Sequence, residues 1–140
     1  MQIMTAKEYL KQYRKLKFII NTRKQQLEEL HGLLDLKSTD YSTERVQTSP
    51  SDIMSAIIAK AVDLERQLED DLQRAIDCQN EITGLINSFE DSRYQFILTE
   101  KYINDATWEY IADEMYMTSR WVQKLHGYAL LEVNKILQNN

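Results

Sequence analysis

Apolar side chains recur every three or four positions along most of this chain, the period of an amphipathic helix. A first stripe runs through Leu10, Tyr13, Leu16, Ile20, Leu27, Leu30 and Leu34, broken by a basic residue at Arg23. A second runs through Ile53, Ile57, Ala61, Leu64, Leu68, Leu72, Ile76, Ile82, Ile86 and Phe89, interrupted around Gln79. Both are narrow, as a coiled-coil seam requires. Lys37 to Thr48 is polar and rich in Ser and Thr, so it reads as a loop. Ser49 as cap, Pro50 in the first helical position and Asp52 near the positive end of the helix dipole mark the start of the second helix.

A third helix is expected from Glu90 to Asn104, built on Tyr94, Ile97, Leu98, Tyr102 and Ile103, with Asn104 and Asp105 ending it. Thr107 to Leu130 (TWEYIADEMYMTSRWVQKLHGYAL) then holds two short helical patterns with a break of about four residues between them. That is the sequence form of a helix-turn-helix, which places a helix in the major groove of DNA. Ile111, Ala112, Met115, Met117, Val122, Leu125 and Ala129 fall where two crossed helices touch, and the small Ala112 lets the backbones approach. Thr107 and Thr118 can cap the two helices by accepting from first-turn N–H groups. Ser119, Arg120, Gln123 and Lys124 then occupy the face away from Val122 and Leu125, where base contacts would be made.

The expected fold is all-α: a long antiparallel, coiled-coil-like helical hairpin over residues 1–89 with its loop at 37–49, then a three-helix unit over 90–140 containing the helix-turn-helix. Composition agrees, with three Gly and one Pro in 140 residues leaving little material for tight turns. A single Cys78 cannot form an internal disulfide, and neither CxxC nor clustered His suggests zinc. No Gly-rich phosphate loop or nucleophile motif appears, so neither an enzyme, a cofactor nor a small-molecule substrate is expected. Phe18, Ile19 and Ile20 form an apolar run too short for a signal peptide or membrane span, which points to a cytoplasmic protein without a membrane partner.

Charge is distributed unevenly. Residues 1–49 carry +3, residues 50–90 carry −6, and the last 50 residues carry −2, for a net −5. Lys7, Lys11, Arg14, Lys15, Lys17, Arg23 and Lys24 on the first helix complement Asp63, Glu65, Glu69, Asp70, Asp71 and Asp77 on the second. Antiparallel pairing brings the two sets together. Because phosphate neutralisation supplies most non-specific affinity, an acidic DNA binder is expected to bind weakly, in a salt-sensitive way, with a second anchor on a partner protein or dimer mate.

Tyr102 and Ile103 ending one helix, then Trp108, Ile111, Ala112, Met115, a Thr cap, Val122, Leu125, Ala129 and Leu130, resemble region four of sigma-70 type factors over roughly residues 91–137. Glu44 to Ser49 (ERVQTS), the long helix that follows and LTEKYINDATWEYIADEMYMTSRWVQKLHGYALLEV resemble a family of small phage and prophage proteins of Gram-positive bacteria, described as sigma-like or late transcription regulators. The resemblance implies a regulator that binds double-stranded DNA together with host RNA polymerase, its promoter contacts coming from positions matching Ser119, Arg120, Gln123 and Lys124. Residue types at those positions differ from the family's, and the helix is less basic. Tyr116 stands where the sigma pattern has Gly, and a bulky residue at positive φ costs on the order of 1 kcal/mol, so a differently shaped turn is expected. A homodimer formed through the hairpin fits the same picture. The competing expectation is a helical interaction or assembly module whose helix-turn-helix serves packing alone. On either expectation Trp108 and Trp121 are core or shoulder packing residues, and His31 and His126 are ordinary ones.

Overall fold

The computed structural model describes residues 4–39 and 50–139, and within them the chain is all-α. Five helices follow in order: α1 (Ala6–Thr39), α2 (Pro50–Asn87), α3 (Ser92–Leu98), α4 (Trp108–Met115) and α5 (Ser119–Gln138). Helix α1 carries on through Lys37, Ser38 and Thr39, three residues expected as loop, while the rest of that loop and the Ser49 cap lie outside the described residues. Pro50 does open α2, where its missing N–H costs no hydrogen bond.

Two compact units make up the chain. One spans Leu16–Arg74 and consists of α1 and α2 segments packed through Leu27, Leu30, Ala61 and Leu64, with Ile57 and Leu68 half-buried against them. Partners fall in number on α2 as they rise on α1: Arg23 meets Asp71 and Gln67, and His31 meets Glu65 at 4.0 Å. The two segments therefore run antiparallel. The basic break in the first stripe is filled by an ion pair, since the Asp71 side chain is only 1% exposed and is held by Arg23 and Arg74.

The inward stripe of α2 differs from expectation at two positions. Leu72 and Ile76 are exposed, at 41% and 52%, whereas Asp71 and Ala75 are buried. The three-four rhythm set by Ile57, Ala61, Leu64 and Leu68 continues to Asp71, Ala75, Cys78 and Ile82. Leu72 and Ile76 lie one residue, about 100°, round the helix from it. Their apolar character hid the true phase, because the seam position between them and Leu68 is a carboxylate.

The other unit joins the chain up to Lys15 with Ala75 onwards. Ala6 and Leu10 from the start of α1 share a core with Ile82, Ile86 and Phe89, with Leu98 and Tyr102, and with Ala129 and Val133 of α5. The Ala6 N–H, one of the first-turn donors a helix leaves unpaired, donates to Asn134 Oδ1 at 2.9 Å. Asp91 caps α3, accepting from the Arg93 N–H at 2.9 Å. Beyond Leu98 the backbone widens into a π-helical turn, Thr99–Ile103, closed by the Asn104 N–H donating to the Thr99 carbonyl at 3.1 Å. The third helix expected over Glu90–Asn104 is thus a short α-helix with a π-helical extension. Asp105 ends it at φ 56°, where Arg14 Nε donates to its carboxylate at 2.9 Å.

Candidate nucleic-acid interface

Helices α4 and α5 are joined by Tyr116, Met117 and Thr118. A second core holds them together: Ile111 and Ala112 of α4, Val122 and Leu125 of α5, and Ile97 of α3, with Trp108, Met115 and Met117 half-buried around it. Each helix starts at a Thr cap. Thr107 Oγ1 accepts from the Tyr110 N–H and Thr118 Oγ1 from the Trp121 N–H, both at 3.1 Å.

The turn keeps the left-handed geometry that the sigma pattern assigns to Gly, contrary to the expectation of a different shape. Tyr116 sits at φ 56° and ψ 44°. Its N–H donates to the Asp113 carbonyl at 3.3 Å and the Met117 N–H to the Ala112 carbonyl at 3.0 Å, the paired bonds of a Schellman motif. Those bonds hold a residue whose Cβ makes this conformation cost about 1 kcal/mol or more relative to Gly.

The four residues singled out in the sequence all lie on the first turns of α5. Arg120, Gln123 and Lys124 are exposed, while Ser119 is half-buried and its Oγ accepts from Gln123 Nε2 at 3.2 Å. Trp121 is 42% exposed, a shoulder residue, and Lys124 Nζ stands 6.0 Å from its ring centroid. The end of α5 nearest the turn therefore presents two cations, an amide and an indole. On α4, Glu109, Asp113 and Glu114 are exposed too, so this surface carries both signs of charge.

Behind the exposed face of α5 lies a polar contact that the sequence reading missed. His126 is 7% exposed, its Nε2 is 2.7 Å from the Tyr102 hydroxyl, and its ring and that of Trp108 form a T-shaped pair with centroids 4.8 Å apart. Burial pushes the imidazole pKa down to about 4, helped by the positive charges of Lys7 and Lys101, and burial pushes the Tyr102 phenol up to about 12. Both groups are therefore neutral near pH 7. Lys101 lies 4.3 Å over the Trp108 ring and donates to the Ala106 carbonyl, and burial lowers its pKa. The signal for His126 was available in the sequence, since it lies four residues from Val122 and three from Ala129 on the apolar face.

Among the described residues, no three of His, Cys, Asp or Glu are grouped to hold a metal ion. None of the described helices is long and apolar enough to cross a membrane. Burial and the nearby Glu81 carboxylate raise the Cys78 thiol pKa, the opposite of what a reactive cysteine requires.

The class these features define is a small all-α protein in which two capped helices meet across a tight left-handed turn. Residues 35–134 match the family described as Protein of unknown function (DUF1492), and the chain belongs to that family. No curated protein and no solved structure matches it.

Proposed function

We propose that this protein is a sequence-specific DNA-binding transcription regulator of the phage type, with a sigma-region-four-like helix-turn-helix that acts beside RNA polymerase at a promoter in the cytoplasm. One observation carries the reading. The capped start of α5 leaves Arg120, Gln123 and Lys124 in solvent while Val122 and Leu125, on the opposite face, are sealed against α4. Arg and Gln are the side chains that make bidentate contacts to guanine and adenine edges. The helix they occupy is long, 20 residues, and its partner α4 is short.

Such a protein binds rather than catalyses. Its net charge of −5 gives little general attraction to phosphate, so residence at a promoter depends on a second anchor. Host polymerase and a dimer mate engaged through α1 and α2 are the two anchors the reading allows.

A second reading has an observation of its own. Glu109, Asp113 and Glu114 expose three carboxylates on α4, beside the face proposed to meet DNA. On this reading the protein is a helical interaction or assembly module and the α4–α5 pair serves packing.

Fluorescence anisotropy against duplex DNA from the protein's own operon, at two salt concentrations, separates the two. The regulator binds, loses affinity as salt rises, and loses most of it in Arg120→Ala with Gln123→Ala. Equal behaviour of the double variant and the wild type favours the interaction module.

A further inference from the structure

Tyr116 is held in the left-handed region, yet its side chain is 96% exposed. Within the described residues it gains neither core packing nor a ring contact in return. A glycine would form the same Schellman bonds without a Cβ in the way. Strain kept at a position where the fold gains nothing from the side chain points outward, to something the side chain touches.

Its place in the chain says what that is. Tyr116 stands two residues before the Thr118 cap of α5 and four before Arg120, at the same end of α5 as the exposed Gln123 and Lys124. Trp121, 42% exposed, follows within the first turn. A helix that enters a groove by its first turn brings the turn before it against the sugar-phosphate backbone bordering that groove. There a phenol O–H can donate to a phosphate oxygen, and tyrosine is among the side chains that make such contacts. The last 50 residues carry only five cations against seven carboxylates, so an uncharged phosphate donor suits a surface short of positive charge.

We propose that Tyr116 is a DNA-contacting residue whose hydroxyl binds a backbone phosphate, positioning α5 without reading sequence. The inference rests on the DNA-binding reading above. A phosphate contact carries no sequence information, so its loss weakens binding to any duplex equally, whereas loss of Arg120 and Gln123 removes discrimination.

The experiment compares wild type, Tyr116→Gly, Tyr116→Phe and the Arg120→Ala, Gln123→Ala double variant by thermal melting and by anisotropy. Two labelled duplexes serve as probes: one from the protein's own operon and a scrambled duplex of the same composition. Tyr116→Gly relieves the strain and melts a few degrees higher, yet binds both duplexes about tenfold more weakly, the loss of one hydrogen bond to a charged group. Tyr116→Phe keeps the wild-type melting temperature and shows the same loss on both. The higher melting temperature of Tyr116→Gly excludes misfolding as the cause of weaker binding. Wild-type affinity in Tyr116→Gly or in Tyr116→Phe overturns the assignment while leaving the DNA-binding reading intact. Failure of the wild type to bind either duplex overturns both.

Discussion

The Tyr102 hydroxyl and the His126 Nε2 lie 2.7 Å apart, joining the π-helical turn after α3 to the buried face of α5. Two polar groups that would each be costly to bury alone satisfy one another. The contact lies on the buried side of α5, at a position three residues on from the exposed Gln123 and so next to it round the helix, and it fixes how far round its axis that helix is turned.

This pair makes stability depend on pH. Burial depresses the folded-state pKa of His126 to about 4 from the ordinary imidazole value of 6.5. Between those values the unfolded chain binds the proton and the folded one does not, so stability rises with pH across that window. The contribution is complete above pH 6.5 and is lost as pH falls towards 4, amounting to about 3 kcal/mol at about 1.36 kcal/mol per pKa unit. Urea denaturation at a series of pH values is expected to show this slope, and His126→Gln to remove most of it. A slope unchanged in His126→Gln would assign the acid sensitivity to the carboxylates.

Asp71 and Arg23 make a second test. Replacing a single partner of a buried pair leaves an uncompensated charge, worth about 3–5 kcal/mol when both are fully enclosed. Arg23 keeps 28% of its side-chain surface in solvent, so Asp71→Ala is expected to cost about 2–3 kcal/mol. Arg23→Met with Asp71→Leu is expected to recover most of that loss, because apolar groups of similar size pack in the seam without a desolvation cost. Denaturant midpoints of the single and double variants decide between this and a pair that contributes favourably in its own right.

Thr118 gives a prediction closer to the proposed interface. Its Oγ1 accepts from the Trp121 N–H, so Thr118→Ala leaves a first-turn donor without its protein partner and costs about 1 kcal/mol. Thr118→Ser is expected to melt within about a degree of wild type, since serine keeps the oxygen. Equal melting of the alanine and serine variants would mean that the cap contributes nothing measurable.

The residues most legible in the sequence were those whose role is local. Pro50 as first helical residue, the Thr107 and Thr118 caps and the small Ala112 at the crossing of α4 and α5 all follow from rules that need only a few neighbouring positions. What the sequence hid depends on partners far away in the chain. Asp71 is inward because Arg23, 48 residues earlier, meets it, and its local partner Arg74, three residues on, has the spacing of any surface ion pair and does not announce that a carboxylate occupies a seam position. Likewise Tyr102 and His126 are 24 residues apart, and each alone looks like an ordinary member of an apolar stripe. Tyr116 was misjudged for another reason. A propensity argument weighs the strain of a left-handed tyrosine, yet two Schellman hydrogen bonds formed by the neighbouring backbone hold it there.

The phase of the α2 stripe supplies the last prediction. Leu64 is 8% exposed and packs with Leu27, Leu30 and Ala61, whereas Leu72 is 41% exposed. Both are leucines and both fell on the stripe read from the sequence. Leu64→Asp puts a carboxylate against Leu27, Leu30 and Ala61 and removes a packed side chain, so it is expected to cost several kcal/mol, on the order of 3–5, which a surface pair with Lys60 one turn back offsets by only a few tenths. Leu72→Asp leaves its carboxylate in water and is expected to change stability by less than about 1 kcal/mol. Circular dichroism melts of the two variants therefore measure the register of α1 against α2 directly. Comparable losses would mean that Leu72 is covered in solution, and a second copy of the protein lying along α2 would then have to be sought by measuring the oligomeric state.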